Sequence, residues 1–114
     1  MQLEALTLTA RDLKRARQFY AGKLGFPVLV ESELSIVLDA GGVFLQLAAD
    51  GVRAPLDASE PRLAFRTTDL WQRCAALRDL GVSVEGPLQN EGGDGRHAEL
   101  RDPDGHPITL WEKR

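Results

Sequence analysis

Three arginines, a glutamate, a histidine and two large aromatic residues fall on one parity of this chain's extended segments, and these are the groups that could do chemistry. Successive side chains of a strand point to opposite faces of its sheet. One face therefore carries Ala5, Thr7, Thr9, Phe44, Gln46, Ala48, Arg62, Ala64, Arg66, His97, Glu99, Arg101, Thr109 and Trp111. The other carries Leu6, Leu8, Val43, Leu45, Leu47, Leu63, Phe65, Ala98, Leu100, Ile108 and Leu110, which are expected to pack under helices. Arg62 offers a planar fork suited to carboxylate or phosphate. Phe44 and Trp111 offer stacking area. The polar face thus suits a flat or partly anionic small molecule. Its expected binding residues are Arg62, Gln46, Trp111, Phe44, Thr109, Glu99, Thr7, Arg66, His97 and Arg101.

Each of these groups also has a plainer use. Arg62 can pair with Glu99 as a structural ion pair, which does not exclude a ligand. Trp111 can pack in the core or at a dimer interface. His97, beside a glycine-rich loop, reads as a solvated strand residue in preference to a general base, and His106, in a turn, reads as surface. Cys74 shares a helical stripe with Leu70, Leu77 and Leu80, so burial is expected. Tyr20 beside Phe19 is expected at a helix–sheet seam.

The elements that must position these groups come in two similar sets. The first begins with a strand in which Leu6 and Leu8 alternate with Ala5, Thr7 and Thr9. Asp12 is a good N-cap, and Leu13, Ala16, Phe19 or Tyr20, and Leu24 form one apolar helical stripe that Gly25 can close. Val28–Val30, Ile36–Leu38 and Val43–Leu47 read as strands, with Gly41-Gly42 as a tight hairpin. The second set repeats the order: strand Arg62–Thr67, a helix from Asp69 to about Leu80 with Gly81 as its stop, then strands near Val82–Glu85, Arg96–Arg101 and Pro107–Glu112. Asn90–Gly95 is a glycine-rich loop, and Asp102-Pro103-Asp104-Gly105 is a turn. Asp12 and Asp69 stand 57 residues apart, about half the chain. A sequence that repeats itself in this way predicts two copies of one motif related by a pseudo-twofold, with a cleft between them.

At 114 residues the chain has the size of one ordinary domain with a real core. Mixed charges and 43% hydrophobic residues predict a globular, soluble protein. No apolar run approaches the roughly 20 residues of a membrane span, and no signal-peptide pattern opens the chain, so a cytoplasmic location is expected. The single cysteine excludes an internal disulfide and a multi-thiolate metal site. A net charge of −3 gives no support for nucleic-acid binding.

The βαβββ order used twice is uncommon. With it go Leu8-Thr9-Ala10-Arg11-Asp12-Leu13, Phe19-Tyr20, Leu24-Gly25-Phe26 and the late Asp102-Pro103-Asp104-Gly105-His106-Pro107-Ile108-Thr109-Leu110-Trp111-Glu112. Together these resemble the vicinal oxygen chelate superfamily, which includes glyoxalase I, bleomycin-resistance proteins, fosfomycin-resistance enzymes and extradiol dioxygenases. The resemblance covers essentially the whole chain. It implies an α+β fold in which two βαβββ modules form an open curved mixed sheet around a cleft, with helices on the outer face. The corresponding organisation is a single domain, 1–114, with module one at 1–49, a connector at 50–61 and module two at 62–114. Small two-module members commonly pair, and open sheet edges give a physical reason to do so. A homodimer is expected, with modules exchanged between subunits as one variant.

Catalytic members of that superfamily hold a divalent metal with His, Gln or Glu from four strands. The resemblance carries those positions onto Ala5, Gln46, Arg62 and Thr109. Ala5 has no lone pair, Arg62 has a permanent positive charge and no acceptor, and Thr109 and Gln46 are neutral. Zinc, manganese or iron sites need imidazole and carboxylate. The expectation is therefore no metal, no cofactor and no catalytic residue, and a small-molecule binding protein for an antibiotic or anionic metabolite. Two alternatives stand beside it. One is a metal-dependent lyase or dioxygenase with an atypical ligand set such as Gln46, His97 and Glu99. The other is metal-free acid–base catalysis by Glu99 or His97.

Overall fold

The computed structural model describes residues 2–49, 62–90 and 95–113. The expected connector and the tip of the glycine-rich loop, 91–94, lie outside the described residues. The chain divides into two compact units, Met1–Glu60 and Pro61–Arg114.

In the first unit, β1 (Ala5–Ala10) leads into α1 (Leu13–Arg17), followed by β2 (Val28–Glu31), β3 (Ser35–Asp39) and β4 (Phe44–Ala49). Asp12 caps α1 as its sequence position implies: its carboxylate accepts the Arg15 N–H at 3.2 Å. From Gln18 to Lys23 the helix widens into a π-helical turn, in which the Leu24 N–H reaches back to the Phe19 carbonyl at 2.9 Å. A wider turn brings consecutive residues nearer to one face. Phe19 and Tyr20 are consequently both buried, edge to face at 5.1 Å, where the sequence stripe had room for one of them. Gly25, at φ +82, ends the helix as expected. Gly41 and Gly42 both take positive φ, which closes the β3–β4 hairpin.

The second unit has the same order: β5 (Leu63–Arg66), α2 (Leu70–Asp79), β6 (Glu85–Gln89), β7 (Arg96–Arg101) and β8 (Pro107–Glu112). The two sheets run β1-β4-β3-β2 and β5-β8-β7-β6, each with one parallel pair and two antiparallel pairs. The fold is α+β, built from two βαβββ units with mixed four-stranded sheets that do not close. The core of each unit lies between its helix and the apolar sheet face. Leu8, Leu45 and Leu47 are buried in the first, as are Leu63, Ala98, Leu100, Ile108 and Leu110 in the second. Cys74 is buried with Leu70 and Leu77, and burial pushes its thiol pKa up, an effect that the Arg78 charge partly offsets.

Several local expectations are corrected. The strand expected at Val82–Glu85 starts only at Glu85, because Val82 belongs to the end of α2. Its N–H bonds the Leu77 carbonyl while the Gly81 N–H bonds Arg78, the paired closing bonds of a Schellman motif. Leu80, the C-terminal cap, is 50% exposed and leaves the buried stripe. Asp69 takes a left-handed conformation, φ +53, and its side chain makes no capping bond. Glu112 caps α2 instead: from the end of β8 its carboxylate accepts the Leu70 N–H at 2.6 Å. Finally, His106 is buried, not surface. The Asp102 carboxylate draws in the turn by accepting the backbone N–H groups of Asp104 and His106 and contacting the His106 imidazole Nδ1 at 2.6 Å.

Candidate functional site

In the first unit, parallel pairing of β1 with β4 sets Ala5 beside Phe44, Thr7 beside Gln46, and Thr9 beside Ala48. The Thr7 hydroxyl donates to the Gln46 side-chain oxygen at 3.2 Å. Phe44 is exposed, Thr7 and Gln46 are half-buried, and Thr9 and Ala48 are buried. The accessible part of this face is therefore Ala5, Thr7, Phe44 and Gln46. Sequence parity placed Thr9 and Ala48 on the same wall, and the structure covers them.

The second unit gathers the charged residues. Its ladders build two rows across the sheet. One row runs Ala64, Thr109, Glu99, Glu85, and the next runs Arg66, Trp111, His97, Leu88. Arg62 stands one residue ahead of β5 and reaches over the first row. Its Nη1 donates to the Thr109 hydroxyl at 3.2 Å and to Glu99 at 3.4 Å. Both partners of this ion pair are about half exposed, at 51% for Arg62 and 44% for Glu99. A pair so long and so well solvated contributes only about 0–1 kcal/mol, so an incoming anion can compete for the guanidinium. In the second row the Arg66 guanidinium lies 5.2 Å over the half-buried Trp111 ring. His97 Nδ1 meets the Asn90 side-chain oxygen at 2.6 Å.

The Arg101 Nη1 donates to the Gly105 carbonyl at 2.7 Å and braces the 102–105 turn. The ligand atoms of Asp102, Asp104 and His106 lie within 4.8 Å of one another. The bonds that Asp102 makes there are those of a turn. A surface depression of about 680 Å³ is lined by Arg66, Thr67, Thr68, Asp69, Glu112 and Lys113. It shares Arg66 with the second row and does not include Arg62.

The four positions carried over for a metal therefore hold a methyl group, an amide oxygen already accepting from Thr7, a guanidinium, and a hydroxyl already accepting from that guanidinium. Imidazole or carboxylate, the usual anchors of a divalent ion, stands at none of them, and Arg62 brings a positive charge against one. Gln46 and Thr109 occupy equivalent register positions in their units, opposite Thr7 and Ala64. Sequence reasoning missed Glu85, which faces Glu99 directly across β6 and β7. The signal was obscured because Gly86-Pro87 reads as a break, whereas β6 runs through it with a register shift.

The family model of the Glyoxalase/Bleomycin resistance protein/Dioxygenase superfamily matches residues 2–110. Among solved structures, TnmS3, an antibiotic binding protein from Streptomyces sp. CB03234, is 26% identical with a TM-score of 0.79, covering 100% of this chain and 97% of that one. An integron cassette protein from V. cholerae is 27% identical with a TM-score of 0.80, covering 98% and 94% of the two chains. A lactoylglutathione lyase from Agrobacterium tumefaciens is similar in fold, at 20% identity and a TM-score of 0.79 over 97% and 92%. No curated protein matches the chain.

Proposed function

The chain belongs to the Glyoxalase/Bleomycin resistance protein/Dioxygenase superfamily, and from that membership we propose that it is a small-molecule binding protein that works without a resident metal. The observation that carries this reading is the Arg62 guanidinium, tethered to Thr109 and Glu99 through Nη1 alone. Its Nε and Nη2 donors have no partner among the described residues, which leaves an edge suited to a carboxylate or phosphate. Trp111 adds stacking area in the neighbouring row. Thr7, Phe44 and Gln46 provide a less charged face on the first unit. The likeness to an antibiotic binding protein supports an antibiotic or anionic metabolite as the ligand class.

Calorimetry against planar antibiotics and anionic metabolites tests the proposal, with Arg62→Ala measured alongside. The expected result is micromolar to millimolar binding that weakens at least tenfold in the variant. Ligands indifferent to Arg62 would refute the anionic form of the idea. A homodimer in the cytoplasm completes the reading, and light scattering showing a monomer at micromolar concentration would remove the first part of it.

A further inference from the structure

Beside Arg62 the second unit's polar face carries two carboxylates in one row, Glu99 and Glu85, and the Arg66 guanidinium over Trp111 in the next. Glu85 and Glu99 are direct register partners across β6 and β7, which sets two acidic residues side by side in the ladder. Like charges so placed destabilise a sheet, and Glu85 makes no ion pair among the described residues. Arg62 touches only one oxygen of Glu99, at 3.4 Å, and the other has no partner among the described residues. A simple monoanion approaching Arg62 therefore meets two carboxylates behind the guanidinium. A ligand that brings its own positive charge or strong donor meets a receptor for both of its ends. Trp111 lies two residues along β8 from Thr109, about 7 Å at strand rise, which is roughly the reach of one aromatic ring.

We propose that the ligand of this face is an aromatic zwitterion: its carboxylate sits on the open Nε/Nη2 edge of Arg62, its ammonium meets Glu99 and Glu85, and its ring lies toward Trp111. This rests on the small-molecule reading above and narrows it to one charge pattern. Glu99 has two roles. It tethers Arg62 when the site is empty, and it receives the ligand's cation when the site is filled.

Three probes of one size separate the possibilities: 3-(aminomethyl)benzoate, benzoate and benzylammonium, each titrated into the intact protein by calorimetry. The zwitterion is expected to bind roughly tenfold more tightly than either single-charge probe, equivalent to about 1.4 kcal/mol. Glu99→Gln, nearly isosteric, should reduce the zwitterion to the level of benzoate while benzoate itself does not weaken. Arg62→Ala should reduce the zwitterion to the level of benzylammonium and abolish benzoate binding. Benzoate binding as tightly as the zwitterion in the wild-type protein, and depending on Arg62, would overturn this inference and leave the anion-binding reading standing. A zwitterion preference that survives Glu99→Gln would also overturn it. No binding of any probe up to about 5 mM, weaker than the few kcal/mol such contacts supply, would remove both. The wild-type comparison needs no variant, so a misfolded mutant cannot obscure the result.

Discussion

Removing the Glu112 carboxylate should loosen α2 although Glu112 lies in another element, 42 residues away in sequence. Asp69 stands at the capping position but its left-handed backbone turns its side chain from the task. The Leu70 N–H is therefore satisfied by Glu112 at 2.6 Å. Losing an N-cap acceptor costs about 1 kcal/mol, and losing the negative charge at the helix N-terminus adds roughly 0.5 kcal/mol. Glu112→Ala is thus expected to destabilise the protein by about 1.5 kcal/mol, a fall in Tm of about 6 °C at roughly 4 °C per kcal/mol for a domain of this size. Glu112→Gln keeps an acceptor and loses only the charge, so about 0.5 kcal/mol is expected. Urea denaturation measures the energies. Amide exchange of Leu70 and Trp71 localises them, because both should lose protection in Glu112→Ala. A Glu112→Ala protein within about 0.3 kcal/mol of wild type would refute the assignment, and equal damage from Gln and Ala would refute its electrostatic part.

Two further outcomes are expected. The buried Cys74 thiol has a raised pKa, so its protonated form stabilises the folded state. That contribution is complete below the ordinary thiol value of 9.0 and is lost as pH rises through the folded-state value. Tm should fall above about pH 9, and less steeply in Cys74→Ala. Thiol reagents should label the native protein only after denaturation. Asp102→Ala should be more damaging than Glu112→Ala, at about 3 kcal/mol or more in urea denaturation, because it leaves His106 and two backbone N–H groups of the turn without the carboxylate that holds them.

Local chemistry was legible wherever one residue decides a conformation. Asp12 as a cap, Gly25 and Gly81 as helix stops, and β7 and β8 to the residue all follow from short-range rules. What escaped depends on contacts between distant segments. Glu112 reads as a strand end until β8 is laid beside β5 and its side chain reaches α2. His106 reads as surface until Asp102 folds the turn back on it. Val82 has the composition of a strand residue, yet its N–H closes a helix. Within the candidate site, parity placed Arg62, Glu99 and Thr109 on one face, and the structure adds their mutual bonds. Glu85 was out of reach, because its partnership with Glu99 depends on a register shift that no alternation pattern reveals.

Arg62 puts a permanent positive charge at one of the four positions that the superfamily resemblance assigns to metal ligands. Elemental analysis of the purified protein, repeated after incubation with zinc, nickel, manganese and iron(II) and removal of excess ion, measures the consequence. The expected result is no stoichiometric metal in either sample. One equivalent of any of these ions retained per chain, and lost on substitution of Gln46, His97 or Glu99, would contradict it.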